Sequence, residues 1–174
     1  SKISKPQGKN SMVALNLALA MKNQLSEQIF QSTQNVENLF IFYNKHGLVS
    51  HIASDVYYHL NYINFAQMAA FESNESSLDA KNSVRSFKRI AETTLINGQY
   101  LQAEKYIGYL SKTLFYNSWA KDAMTYLYSD RKVENHPVWR LKRKLKPKTD
   151  YFLNKDRVHL LLLRSLIDNP ENRV

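Results

Sequence analysis

Three side chains stand at helical spacing with the chemistry of metal ligands: His51, Asp55 and His59. Imidazole nitrogens and a carboxylate are donors that divalent transition metals take, and steps of four place all three on one face of a helix. Distance along the axis limits them. His51 and His59 are separated by about 12 Å at 1.5 Å per residue, so one ion cannot be held by both. The favoured reading is a solvated or hydrogen-bonded helix face, and neither a metal nor any other cofactor is expected.

Other reaction chemistry finds less support. Acid–base work needs carboxylates that converge, and the acids here fall singly over helix surfaces and loops. There is no G-x-S-x-G elbow, no phosphate-cradling glycine loop and no H-E-x-x-H pair. With no cysteine in the chain, disulfides, thiolate nucleophiles and Cys-type zinc sites drop out together. No catalytic site is expected.

Two sets of residues suit binding. Tyr58, Tyr62 and Tyr109 have amphipathic rings that could line a groove for an extended or helical peptide, although most of the aromatic residues belong in the core. The second set is the basic run Arg140, Lys142, Arg143, Lys144, Lys146 and Lys148, beside Trp139 and Leu145. A solvated connector is its first reading. Contact with anionic lipid headgroups is the second, since a basic residue near a charged leaflet contributes roughly 1 kcal/mol. Nucleic acid is disfavoured, because the run lacks an aromatic platform or helix-turn-helix signature.

The elements that position these residues are helices. The 174 residues include only four Gly and four Pro, and 44% are hydrophobic, the composition of an ordered, turn-poor chain. Apolar residues recur at three-and-four spacing in Val13–Ile29, Val36–His46, Val49–Leu60, Phe65–Glu72, Ser83–Leu95, Tyr100–Leu110, Trp119–Leu127 and Val158–Ile167. Ser11 suits an N-cap and Gly47 a left-handed stop to the helix before it. Helix is expected over more than ~60% of the chain, with no sheet, against a ~30–35% average.

The pattern also repeats. Ser54, Asn61, Ile63, Ala66 and Ala70 match Ala91, Gly98, Tyr100, Ala103 and Ile107 at a constant offset of 37. Such a period indicates stacked helix pairs. Small residues let the paired helices approach, and Asn61 and Gly98 tolerate the positive φ that turns the chain between them. A small residue, a turn glycine, an aromatic and an alanine in that order resemble the tetratricopeptide repeat. The fold class expected is therefore all-α, with antiparallel helix pairs stacked as a tetratricopeptide-like solenoid whose packing positions are Ser54, Ala66, Ala91, Gly98 and Ala103.

A wider resemblance rests on Leu15-Asn16-Leu17-Ala18-Leu19-Ala20, His46-Gly47-Leu48, Tyr57-Tyr58-His59-Leu60, Ala91-Glu92-Thr93-Thr94-Leu95-Ile96-Asn97-Gly98 and Lys112-Thr113-Leu114-Phe115-Tyr116. These strings resemble the soluble C-terminal part of a family of Bacteroidetes multi-pass membrane proteins without assigned function. The resemblance implies a membrane region upstream and a domain continuing past Val174, and it implies no activity. The longest weakly charged apolar stretch, Ser11 to Met21, is about half the ~20 residues a bilayer requires, so no span is expected within this chain.

The organisation expected is a polar fringe over 1–10, one helical-repeat domain over 11–174, a basic proline-containing connector at 129–149 and a continuing repeat from 155. Asn169-Pro170-Glu171 has the pattern of a helix start. The net charge of +9 adds attraction for anions. The functional expectation is a noncatalytic interaction scaffold associated with a membrane, holding a protein or peptide partner. The alternatives are a regulatory or accessory domain of a membrane enzyme or transporter, and a weaker nonspecific nucleic-acid module. No oligomeric state is assigned.

Overall fold

A computed structural model describes residues 8–31, 47–76, 83–148, 163, 164 and 167. Among them 78% are helical and none lies in a strand. The helices are α1 (Lys9–Met21), α2 (Leu25–Gln28), α3 (Gly47–His59), α4 (Ile63–Glu75), α5 (Val84–Ile96), α6 (Tyr100–Leu110), α7 (Asn117–Met124), α8 (Asp130–Asn135) and α9 (Pro137–Leu145). Sequence neighbours pack together: α3 on α4, α4 on α5, α5 on α6 and α6 on α7, with α1 against α3 and α9 across α5.

The turns explain the pairing. Asn23, Asn61 and Gly98 adopt φ of 55°, 65° and 73°, the left-handed conformation that ends a helix. After each, the next amide donates back to a carbonyl of the finished helix: Gln24 to Leu19 at 2.9 Å, Tyr62 to Tyr57 at 2.9 Å and Gln99 to Thr94 at 2.8 Å. These bonds satisfy end carbonyls that the helix leaves bare and reverse the chain so that the next helix lies against the last.

Small residues occupy the crossings. Ala66, Ala91 and Ala103 have no exposed surface, and Ser54 is 2% exposed. The Ser54 hydroxyl donates to the Ala66 carbonyl at 2.8 Å, a bond that only a short side chain at a close helix approach can make. Ile90, Leu95, Ile107 and Leu110 fill the space between α5 and its neighbours and are likewise fully buried. At the offset of 37, Asn61 and Gly98 both turn at positive φ and Ala66 and Ala103 are both fully buried.

Three expectations need correction. Gly8, not Ser11, precedes the first turn of α1. Gly47 opens α3 instead of ending a helix, and lies close to the end of α4, where a Cβ would stand 3.3 Å from the Ser76 carbonyl oxygen. Residues 129–148 are not a connector but chiefly two packed helices. Pro137, within the expected connector, takes the first helical position of α9, where its missing N–H costs nothing. His136 caps that helix, its Nδ1 accepting from the Val138 and Trp139 amides at 3.3 and 3.2 Å. Trp139 is 3% exposed, stacked on His136 at 3.8 Å and edge-on to Tyr126 at 5.0 Å.

The 1–7 part of the polar fringe, the 36–46 helix and the 169–171 helix start lie outside the described residues, as does the segment from 155 apart from Leu163, Arg164 and Ile167, which are helical.

Candidate functional site

Residues Arg85, Lys88, Arg89 and Glu92 fall at steps of three and four along α5, and its opposite stripe, Phe87, Ile90, Ala91, Thr94 and Leu95, is buried. The polar stripe therefore faces α3 and solvent, where it meets Asp55 and His59, one turn apart on α3. Together with Leu17 of α1 and Tyr116 these side chains line a cleft of about 460 Å³.

An ionic network crosses the cleft. Arg89 bridges the two helices, donating to Asp55 Oδ1 at 2.8 Å and to Glu92 Oε2 at 2.9 Å. Arg85 also pairs with Asp55, and Lys88 donates to Glu92 at 2.6 Å. The Arg89 guanidinium lies 3.7 Å from the Tyr58 ring centroid, and the Lys142 ammonium is 4.1 Å from the same ring. One aromatic face system thereby attracts two cations that would otherwise repel each other.

Burial sets the protonation behaviour here. It pushes the Tyr58 hydroxyl well above its ordinary range, and nearby Glu92 adds to that. Burial lowers Lys142 to about 8, with the Arg89 charge contributing in the same direction. His59 is lowered by burial and then by Lys142 and Arg89, which favours the neutral imidazole near neutral pH. His51 is lowered by burial and by Arg85, and its Nε2 sits 3.2 Å from the Ser83 hydroxyl.

Asp55 thus pairs with both Arg85 and Arg89. Among the described residues, no group of three or more His, Asp or Glu side chains could hold an ion.

The second polar assembly lies where α9 meets the ends of α3 and α5. Lys142 donates to the Tyr58 carbonyl at 2.6 Å and to Asn61 Oδ1 at 3.2 Å. Arg143 donates from Nε to the Ile96 carbonyl at 2.9 Å and from Nη2 to the Leu95 carbonyl at 3.1 Å. The same guanidinium pairs with Asp130 at 2.9 Å and reaches the Tyr100 hydroxyl at 3.3 Å. Lys146 donates to Asn97 Oδ1 at 3.2 Å. Cations thus sit at two helix C-termini, where bare carbonyls and the helix dipole both favour positive charge.

A family model described as a family of unknown function, DUF6057, matches residues 1–174, the entire chain. The chain belongs to this family. No curated protein and no solved structure matches it.

In this DUF6057 chain the residues singled out from sequence scatter. Tyr58 and Tyr62 are 6% and 7% exposed and belong to the core, while Tyr109 is 46% exposed and stacks on Phe87 at 5.6 Å, so the three do not line one groove. Of the lipid-contact set, Lys142 is buried, and Arg143 and Lys146 are partly buried and turned onto α3–α6. Arg140, Lys144 and Lys148 are exposed. Ser54, Ala66, Ala91 and Ala103 pack at crossings, and Gly98 makes the turn between α5 and α6.

The α3–α5 cluster was missed. The acids look isolated along the chain because Asp55 and Glu92 are 37 positions apart and converge only through Arg89. The available signal was the Arg-x-x-Lys-Arg-x-x-Glu spacing on the polar stripe of an otherwise apolar helix.

Proposed function

We propose that this domain is a noncatalytic interaction scaffold, a tetratricopeptide-like stack of helix pairs attached in its native setting to a membrane protein and holding a protein or peptide partner. The observation that carries the reading is the equivalence of the two central hairpins. Asn61 and Gly98 both turn at positive φ, and Ala66 and Ala103 are both fully buried at the offset of 37. Stacking such units yields an extended surface whose use is contact with another chain. The ionic side chains are consistent with this, because Asp55 and Glu92 are held by arginine and lysine instead of standing free as acid and base. The membrane attachment rests on the resemblance drawn from the sequence strings.

The experiment is site-specific photo-crosslinking in native membranes, with the reactive residue placed in turn at Arg85, at Lys105 and at Lys144. A discrete protein adduct that depends on the position of the probe supports the scaffold. Adducts of equal yield from all three positions, or none from any, would refute it.

A further inference from the structure

The charges around Tyr58 do not balance. Among the described residues Arg85, Lys88 and Arg89 line the recess with Asp55 and Glu92 as its acids, an excess of one positive charge, and the Lys142 ammonium adds a second against the Tyr58 ring. Lys142 and Arg89 are turned inward: the Lys142 ammonium donates to the Tyr58 carbonyl and Asn61, and Arg89 donates from Nη1 and Nη2 to Glu92 and Asp55, while its buried Nε has no partner among the described residues. The excess is therefore presented by the other two. The Arg85 side chain is 65% exposed and that of Lys88 is 29% exposed. Arg85 has one acceptor among the described residues, Asp55, and a guanidinium carries five N–H donors. Lys88 has Glu92 as its acceptor and the Trp119 ring at 5.0 Å, and an ammonium carries three.

The recess has the dimensions and walls of a binding cleft. Its volume of about 460 Å³ falls in the range of ~300–1,000 Å³ common for such sites, and Leu17 and Tyr116 contribute apolar surface beside the cations. We propose that the cleft between α1, α3 and α5 receives an acidic segment of a partner protein, whose carboxylates seat on Arg85 and Lys88 while intervening apolar side chains lie against Leu17 and Tyr116. This deepens the scaffold reading and rests on it.

The fixed carboxylates decide between an acidic peptide and a phosphate polymer. Asp55 and Glu92 line the same cleft, so every anion that enters approaches them as well. A nucleic-acid strand carries a charge every ~3.4 Å and would press several phosphates against those two acids. A peptide spaces single carboxylates between neutral residues and places them on the two exposed cations alone. A bilayer surface is flat, whereas Arg85 and Lys88 line a recess between helices.

The test uses the whole chain and a fluorescein-labelled peptide of alternating Glu and Leu, followed by anisotropy at low salt, with the Gln-for-Glu peptide as the uncharged counterpart. The Glu peptide is expected to bind and the Gln peptide not to. Arg85→Glu with Lys88→Glu should weaken binding at least ~10-fold, and Arg140→Glu with Lys144→Glu on the exposed face of α9 less than ~2-fold, because only the first pair touches the carboxylates. Circular dichroism establishes that each variant is folded. If the reversal pair does not fold, Arg85→Gln with Lys88→Gln replaces it, with the same ordering expected.

Equal losses from both pairs would overturn the proposal in favour of diffuse attraction, and so would absence of binding by the parent chain. Tighter binding of an oligonucleotide or of phosphatidylserine vesicles through Arg85 and Lys88 would overturn it in favour of a phosphate site. Failure here together with position-dependent crosslinks at Lys105 or Lys144 removes the cleft and leaves the scaffold standing.

Discussion

Replacing Arg143 by Met tests whether α9 completes the ends of the helix pairs. The substitution keeps much of the apolar stem, so packing changes little and the loss is that of the guanidinium. That group is the single hydrogen-bond partner of the Ile96 carbonyl among the described residues, whereas the Leu95 carbonyl also receives the Gly98 amide at 3.1 Å. A hydrogen bond from a charged donor contributes ~1.5–3 kcal/mol net, and the bond shared at Leu95 lies at or below the lower end. Positive charge at a helix C-terminus adds ~0.3–1 kcal/mol. The Asp130 pair is left out of the sum, because that carboxylate is largely in solvent. Arg143→Met should therefore cost about 2–5 kcal/mol, read from urea unfolding at pH 7 by far-UV circular dichroism, and lower Tm by roughly 5–20 °C for a chain of this size. Arg140→Met, one turn away and exposed, should stay within ~0.5 kcal/mol of the parent. If Arg143→Met also stays within that margin, the carbonyl caps contribute nothing and the role assigned to α9 is wrong.

Three further outcomes follow from the same structure. Burial lowers the pKa of His136 from 6.5, so its neutral ring is favoured in the fold and stability falls as pH drops below 6.5, where the unfolded chain takes up the proton first. In His136→Asn, which keeps a capping oxygen without that titration, the parent's advantage should shrink between pH 7 and 5 in urea melts; a gap that widens would refute the assignment. Gly98→Ala should cost ~1–2 kcal/mol by thermal melting from backbone strain alone, since the nearest atoms to the new Cβ would be 3.9 Å away. Ala103→Leu should overpack the α5–α6 crossing and cost ~1–3 kcal/mol, and an unchanged Tm would remove Ala103 from that crossing.

The helices and their pairing were legible because both are local. Apolar spacing within a dozen residues defines each buried stripe, and a small residue, a turn residue and an alanine define each hairpin, as at Ala91, Gly98 and Ala103. The basic segment was misread for the opposite reason. Nothing near Lys142 or Arg143 in the chain reveals that their acceptors are the Tyr58, Leu95 and Ile96 carbonyls, backbone atoms that no residue type advertises. Charge and proline together suggested a solvated connector, whereas a proline following a capping histidine equally begins a helix. The cleft was hidden similarly, because its two acids share an arginine only after α3 and α5 have packed side by side.

The span of these contacts orders the assembly of the domain in time. The Ser54 to Ala66 bond closes a loop of 12 residues, whereas Lys142 reaches Tyr58 across 84 and Arg143 reaches Leu95 across 48. Short closures form quickly and distant ones late, so the hairpins precede the docking of α9. Opening of α9 ahead of the hairpins, at less free energy than global unfolding, is the corresponding expected outcome, checked by native-state hydrogen exchange. Trp139, buried against His136 and Tyr126, leaves its pocket in the same event. Trp139 thereby serves as a fluorescent reporter of when α9 is seated.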